Sequence, residues 1–247
     1  LPFVMMILTT LGMGFGEIVN TIKEPQVFHA IKLSLSMAIL ATLTNLVFGT
    51  LIAWVLVRYD FWGKSFINAL VDLPFALPTA VTGISLATLY APTGLFGQVF
   101  TKLGVALTGE PIRIAFTPIG IWLALVVVSF PFIVRAVQPV LAELSVEFEE
   151  ASAVVGASRL PTFVQVILPE IAPAMLIGSG MMFARATGEY GSVIFIAGNI
   201  PMQSEILPLI IVSKLEQFDV AGASCVALFM LLVSLVVLFA INFAQWK

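Results

Sequence analysis

Two ionisable side chains, Arg185 and Glu189, lie within an apolar stretch that carries no other charge, from 171 to 204. They are one helical turn apart, so the guanidinium and the carboxylate can pair. A charge inside a membrane is costly, and it is by default a functional candidate that faces protein or water. The residues leave two interpretations open: a structural ion pair that locks its helix, or a point on the path of an anion.

Other kinds of chemistry find no support in the sequence. No nucleophile, base and orienting group cluster at a spacing that suggests an enzyme. One Cys and one His are too few for a disulfide framework or a Cys/His metal site. The Gly63-Lys64-Ser65 triplet is not a phosphate-binding loop, because Arg58 stands where the first Gly is required. A net charge of −3 over short loops indicates no nucleic-acid partner, and we expect no cofactor in this chain.

The composition is that of a membrane protein, with 60% hydrophobic and 10% charged side chains, whereas roughly a quarter are charged in soluble domains. About 20 apolar residues, at about 1.5 Å each, cross a bilayer core as a helix. We predict one all-α, polytopic transmembrane domain over 1–247 with six crossings. The predicted spans are an incomplete first helix at 1–16, then 33–57, 73–90, 114–134, 170–190 and 220–246.

The remaining segments are predicted to connect or anchor these spans. Residues 16–32 and 91–113 hold charges or many Gly, Pro and Thr residues, and they are predicted to be aqueous loops. Residues 191–219 are apolar but broken by Gly and Pro, which predicts a half-buried excursion on one side. Asn45 is predicted to hydrogen-bond between helices, and Trp246 with Lys247 to anchor the last span.

A second set of candidates lies where the third predicted span begins, in the sequence DLPFALPT. Asp72 can cap this helix, Pro74 fits its first turn, and Pro78 removes a backbone bond deeper inside. Irregular backbone is tolerated in a membrane where it is buried in protein or lines a polar path. Plain kinking and a path both remain open, so the path candidates are Asp72, Pro74, Pro78, Thr79, Arg185 and Glu189.

The segment from 143 to 169 is too long and too charged to be a tight loop. Ser145 can cap a helix with glutamates in its first turn, where the helix dipole favours carboxylates. Phe148, Ala151, Ser152 and Val155 then share one face, and Gly156 tolerates the positive φ that ends a helix. A second short helix is predicted from Ser158 until Pro169 ends it.

These residues carry a resemblance. Glu150-Ala151-Ser152, three further residues, Gly156, and then Val166-x-Leu168-Pro169 resemble the EAA loop of ABC importer permeases, with Ser for the second Ala and Val for Ile. The resemblance implies a cytoplasmic coupling helix that docks into a groove of the ATP-hydrolysing subunit; the alternative is a surface hairpin that merely joins two spans. The implied coupling residues are Phe148, Glu149, Glu150, Ala151, Ser152, Val155, Gly156, Leu168 and Pro169.

Longer stretches resemble one branch of this family, the T-type permease of sulfate/thiosulfate importers. They are AWVLVRYDFWGKSFINALVDLPFALPTAVTG, ATLYAPTG and FARATGEYGSVIFIAGNIPMQSEILPLIIVSKLEQFDVAGA. The resemblance implies a type I ABC importer permease fold and half of a translocation path for sulfate or thiosulfate. Permeases for molybdate or tungstate are the alternative. A secondary anion transporter is a further alternative, although no internal repeat is visible.

The same resemblance implies the partners and the location. It implies a second, W-type permease, two ATP-binding subunits that hold ATP and Mg²⁺, and a periplasmic or lipid-anchored binding protein for the oxyanion. The lipid bilayer would be that of a bacterial plasma (inner) membrane. The basic residues outside the predicted spans, five on each side, do not orient the chain, so the cytoplasmic position of the 143–169 loop rests on the resemblance.

Overall fold

The computed structural model describes residues 2–245 and contains helices joined by short turns. The predicted anchor at Trp246 and Lys247 lies outside these residues. The helices are α1 (Pro2–Leu11), α2 (Phe15–Lys23), α3 (Pro25–Arg58), α4 (Lys64–Ala76), α5 (Thr79–Tyr90), α6 (Leu95–Thr108), α7 (Pro118–Glu143), α8 (Glu147–Val154), α9 (Arg159–Thr162), a π-helical turn (Phe163–Ile167), α10 (Leu168–Thr187), α11 (Val193–Ile196), α12 (Leu207–Glu216) and α13 (Val220–Gln245).

Four helical segments are long and apolar enough to cross a membrane: Pro25–Arg58, Pro118–Glu143, Arg159–Thr187 and Val220–Ile241. Two further pairs are bent at a short break, α1 with α2 by 105° and α4 with α5 by 111°. Counting each bent pair as one span gives up to six crossings among the described residues, by length and composition. The all-α, multi-span fold class is therefore confirmed.

The prediction that two segments are loops is wrong, because both are largely helical. Residues 16–32 are occupied by α2 and the first turns of α3, and residues 91–113 contain the apolar helix α6. The glycines of α6 indicated a loop in the sequence, but in the structure they allow close packing. A Cβ on Gly97 would overlap the carbonyl of Ala91, and a Cβ on Gly104 would lie 2.5 Å from the backbone nitrogen of Ile112. Glycine here lets neighbouring chain segments approach α6 closely.

The start of the third span was also placed wrongly. Its first half, α4, begins at Lys64, so Asp72 is inside the helix rather than at its cap, and Pro74 lies in its last turn rather than its first. The break falls at Leu77–Pro78, and Pro78 is the N-cap residue of α5. Proline there follows from its fixed φ and missing N–H, which suit a helix start better than a helix interior.

The fifth span begins earlier than predicted, because Pro169 does not end the segment before it. From Arg159 the chain runs through the π-helical turn directly into α10. At the junction the N–H of Leu168 bonds to the carbonyl of Phe163 with the five-residue spacing of a π-helix. Pro169 has no N–H to satisfy where the bonding changes to the α pattern, so it is accommodated in the first turn of α10.

The core forms where α3, α7 and α10 cross. A Cβ on Gly49 would overlap the side chain of Ile133, and Gly178 packs closely on the same isoleucine. The buried amide of Asn45 donates to the carbonyl of Val126 at 2.9 Å and to the hydroxyl of Ser129 at 3.0 Å. The prediction that Asn45 joins two helices is confirmed.

Candidate functional site

The first short helix predicted in the 143–169 segment exists as α8, which carries glutamates at 147, 149 and 150 in its first turn. Its N-cap residue is Val146 rather than the predicted Ser145. The hydroxyl of Ser145 nevertheless accepts a hydrogen bond from the N–H of Glu147 at 3.3 Å. The carboxylates and this hydroxyl therefore occupy the end of the helix where free N–H groups and the dipole favour them.

Gly156 ends α8 as predicted, with φ +84°. Its N–H bonds to the carbonyl of Ala153, and the N–H of Ala157 bonds to that of Ser152, both at 3.0 Å. This pair of bonds is the Schellman motif, which satisfies the last carbonyls of a helix and needs a left-handed residue at its turn. The chain direction after α8 is therefore fixed by local geometry.

The outer face of α8 carries apolar side chains that its own chain does not cover. Phe148 is 55% exposed and Val155 is 87% exposed, while Ala151 is exposed and Ser152 half-buried. Exposed apolar residues grouped at one short helix are candidates for an interaction surface. Leu168 and Pro169, the last two predicted coupling residues, lie apart from this face at the start of α10.

Arg58, at the end of α3, ties α8 to the membrane helices. Its Nε donates to the Glu149 carboxylate at 2.6 Å, and a terminal nitrogen donates to the carbonyl of Leu144 at 2.9 Å. The side chain of Arg58 is only 10% exposed and that of Glu149 is 24% exposed. We call these three groups the Arg58 clamp. Next to it, a cleft of about 350 Å³ opens between α3 and the loop, with Trp54, Tyr59 and Arg159 among its walls.

The predicted path residues fall into two separate clusters. In the first, Asp72 accepts two hydrogen bonds from Arg135 of α7, at 2.7 and 2.5 Å. Asn68 and Gln138 also accept from this guanidinium. The carboxylate is 50% exposed and the guanidinium 32%, so this polar cluster is open on one side. Pro74 is in the same helix as Asp72, half a turn further on.

In the second cluster, Arg185 and Glu189 form the predicted ion pair, with 2.5 Å between a terminal guanidinium nitrogen and Oε2. Glu189 follows the end of α10 at Thr187 rather than lying in the helix. The next residues, Gly191 and Ser192, pack against the start of α5, because a Cβ on Gly191 would overlap the Thr79 hydroxyl. Thr79 and Pro78 are thus brought close to the segment that holds the ion pair.

Sequence reasoning missed three residues of these sites, Arg58, Arg135 and Ser192. A signal for Arg135 exists: it has Gln138 three residues on, and Asn68 and Asp72 stand four apart in another apolar segment. Matching polar pairs of that kind predict facing helices. The partner of Arg58, Glu149, is 91 residues away, and no local pattern joins them.

Outside the spans, charge pairs shift two pKa values. The hydrogen bond and charge of Lys64 lower the pKa of the exposed Asp60 carboxyl. At the other end of the molecule, burial of Lys214 opposes its charge, but Glu24 and Asp219, at 3.0 and 3.3 Å, raise its pKa overall.

No group of three or more His, Cys, Asp or Glu side chains is placed to hold a metal within residues 2–245.

A family model described as "Binding-protein-dependent transport system inner membrane component" matches residues 45–245. The chain belongs to this family. It is therefore a membrane permease component of a transport system and not itself an enzyme, and the ABC importer permease expected from the EAA-like residues is confirmed.

Curated relatives of this permease extend along nearly the whole chain. A probable sulfate transport system permease protein of Nephroselmis olivacea is 46% identical over 230 residues, which are 93% of this chain and 78% of the relative. The sulfate transport system permease protein CysT of Salmonella typhimurium is 43% identical over 245 residues, 99% and 86% of the two chains.

Solved structures show the same fold at low identity. A bacterial ABC transporter that imports alginate is 16% identical, with a TM-score of 0.74 over 94% of this chain and 83% of the other. Its complex with an alginate-bound periplasmic protein gives a TM-score of 0.77 at 16% identity, over 98% and 86%. The predicted type I ABC importer permease fold is confirmed.

Proposed function

We propose that this permease forms half of the translocation path of an ATP-driven importer for sulfate or thiosulfate. The observation that carries the proposal is the identity of more than two fifths, along nearly the full chain, with relatives named as sulfate transport permeases. The Arg185–Glu189 ion pair at the end of α10 gives supporting chemistry, because a path for an oxyanion needs donors without a large excess of positive charge. We place the protein in the plasma membrane of a bacterium, in keeping with the family's description as an inner membrane component.

We propose the partners from the family to which the chain belongs and from what the chain presents. A second permease of the W type would complete the path, and a periplasmic or lipid-anchored binding protein would deliver the anion. Two ATP-binding subunits would supply the nucleotide and Mg²⁺ chemistry, since this chain offers no nucleotide-binding loop of its own. Support for the second permease comes from the half-exposed Asp72–Arg135 cluster, because charged groups within spans are expected to face protein or water rather than lipid.

The loop from 143 to 169 is the proposed contact with one ATP-binding subunit. The exposed face of α8, with Phe148, Ala151 and Val155, has the small and apolar side chains that helix-in-groove binding uses. The Arg58 clamp and the Schellman turn at Gly156 hold that face in one orientation. Glu149 is proposed to act within the clamp, and Glu150, Ser152, Leu168 and Pro169 to shape the loop.

The test is ATP hydrolysis by the assembled complex in liposomes, stimulated by binding protein loaded with one oxyanion at a time. Sulfate or thiosulfate should stimulate hydrolysis, and molybdate and tungstate should stimulate it much less. Strong stimulation by molybdate or tungstate alone would replace the proposed substrate class. Assembly with no ATP-binding subunit, combined with anion flux through this chain alone, would contradict an ATP-driven importer altogether.

A further inference from the structure

The two arginines of the path clusters differ in how many of their N–H groups are used. A guanidinium has five N–H donors in a fixed planar arrangement. Arg135 makes five hydrogen bonds, two to Asp72, two to Asn68 and one to Gln138. Every N–H donor of Arg135 has a partner within the chain. Arg135 therefore joins α4 to α7 and has no free donor with which to bind an anion.

Arg185, in contrast, leaves most of its N–H donors without a partner in the described chain. Among residues 2–245 its one close polar contact is the 2.5 Å pair between a terminal nitrogen and Glu189. The Nε group and the second terminal nitrogen have no hydrogen-bond partner in the described chain, and the side chain remains 33% exposed. Arg185 lies in the last turn of α10, and a partly exposed cation at that place faces protein or water, because lipid offers it no partner.

Glu189 is held so firmly that it can act as a fixed support for this guanidinium. The carboxylate is 2% exposed, and its Oε1 accepts from both the N–H and the hydroxyl of Ser192, each at 2.8 Å. These two bonds leave Oε2 for Arg185. Oε2 contacts a single terminal nitrogen of the guanidinium, so Nε and the other terminal nitrogen remain available in the described chain.

The surroundings add further polar groups of suitable kind. Gly191 and Ser192 pack against the first residues of α5, so the beginning of that helix lies beside the segment that supports Glu189. The helix follows the 111° bend, and its first N–H groups are not used by helical bonds. Free N–H groups and a positive dipole end favour an anion nearby.

We propose that Arg185 is the residue of the translocation path that recognises the transported oxyanion. The free edge of its guanidinium, formed by Nε and a terminal nitrogen, donates to two oxygens of a doubly charged tetrahedral anion such as sulfate. Glu189 neutralises Arg185 when the path is empty and limits the attraction, so that the anion is released again. Ser192 is a positioning residue that acts through Glu189. The inference rests on the proposed function and deepens it.

The test measures ATP-dependent uptake of radiolabelled sulfate by the assembled complex in liposomes, with the amount of complex fixed by subunit stoichiometry after purification. Arg185→Gln should lower uptake at least tenfold, and Arg185→Lys should retain part of it, because a point charge replaces the two-donor edge. The matched control is Arg113→Gln, which removes an exposed cation outside the spans and should leave uptake unchanged.

Glu189→Gln gives an independent readout, since the amide can still accept from Ser192 while Arg185 loses its neutralising charge. It should slow the maximal rate of uptake and should strengthen the binding of radiolabelled sulfate to the purified complex, measured without binding protein, severalfold. A merely structural pair would not strengthen that binding, so unchanged binding in a complex that assembles would overturn the inference.

Wild-type uptake in Arg185→Gln, or full uptake in Arg185→Lys when Arg185→Gln fails to assemble, would also overturn it. Absence of oxyanion uptake by the wild-type complex would instead contradict the proposed function, so the two failures are distinguishable.

Discussion

At the scale of single residues, the guanidinium of Arg58 shows how one side chain can join the membrane helices to the loop. It connects the end of α3 with Glu149 of α8 and with the carbonyl of Leu144 just before α8. Hydrogen bonds to charged groups contribute about 1.5–3 kcal/mol when they are shielded from water, and this guanidinium is 10% exposed. The Arg58 clamp should therefore make α8 and the end of α3 move together.

Arg58→Met tests the clamp, because it keeps an unbranched apolar stem of the side chain and removes its donors. We expect the stimulation of ATP hydrolysis by loaded binding protein to fall about tenfold, which corresponds to about 1.4 kcal/mol of lost coupling. The control is Lys64→Met, which breaks an ion pair with Asp60, itself 98% exposed, and should have almost no effect. Equal effects of both variants would contradict a special role for Arg58.

Gly49 provides a second test at this scale, where α3 touches α7. A Cβ at this position would overlap a methyl group of Ile133, so Gly49→Ala should destabilise the protein by about 1–3 kcal/mol through overpacking. Thermal unfolding in detergent measures the change. Gly16→Ala in α2 is the control, because its Cβ would meet nothing within 4 Å.

The overpacking account also predicts rescue. Ile133→Ala removes the methyl group that Gly49→Ala would strike, although it leaves a cavity of its own. The double variant should be more stable than the sum of the two single changes allows, by about 0.5–3 kcal/mol. Simple additivity would show that Gly49 is needed for another reason.

At the scale of helices, the sequence predicts well where the local signal is unambiguous. The uncharged run that forms α13 and the positive-φ glycine after α8 were both placed correctly. Gly, Pro and Thr misled the prediction for α6, because glycine marks a loop in one context and close packing in another. Pro169 misled it too, since a proline that begins one helix looks the same as a proline that ends the previous one.

Gly156→Val tests the turn after α8. A β-branched residue at φ +84° is strained by about 1–2 kcal/mol even though its Cβ would meet no neighbour within 4 Å. We expect the direction of the chain after α8 to change and coupling of ATP hydrolysis to uptake to be lost at normal expression.

Gly109→Val is the matched control for this turn. Gly109 has φ +80° and equally open surroundings, but it follows α6, away from the loop. The same strain there should leave coupling intact. Normal coupling of ATP hydrolysis to uptake in Gly156→Val would contradict the proposed role of this turn in docking.

At the scale of the whole molecule, we propose that the described chain needs a second permease to enclose a path for an anion. Its broken helix pair α4 and α5 and the half-exposed Asp72–Arg135 cluster are features that a bilayer does not tolerate against lipid. The sequence predicts Asp72 and Arg185 as candidates for the path, but it does not predict that they lie in different clusters. That separation is set by which helices pack together, and pairs such as Asp72 with Arg135, 63 residues apart, leave no local trace.

The central claim is that this permease moves sulfate or thiosulfate only as part of an ATP-driven complex. The most direct measurement is uptake of radiolabelled sulfate into liposomes that contain the full complex, compared with liposomes that contain this chain alone. The account predicts uptake that requires ATP, loaded binding protein and both permeases, and no flux through the single chain. Sulfate flux through this chain alone, driven by a gradient and independent of ATP, would contradict it.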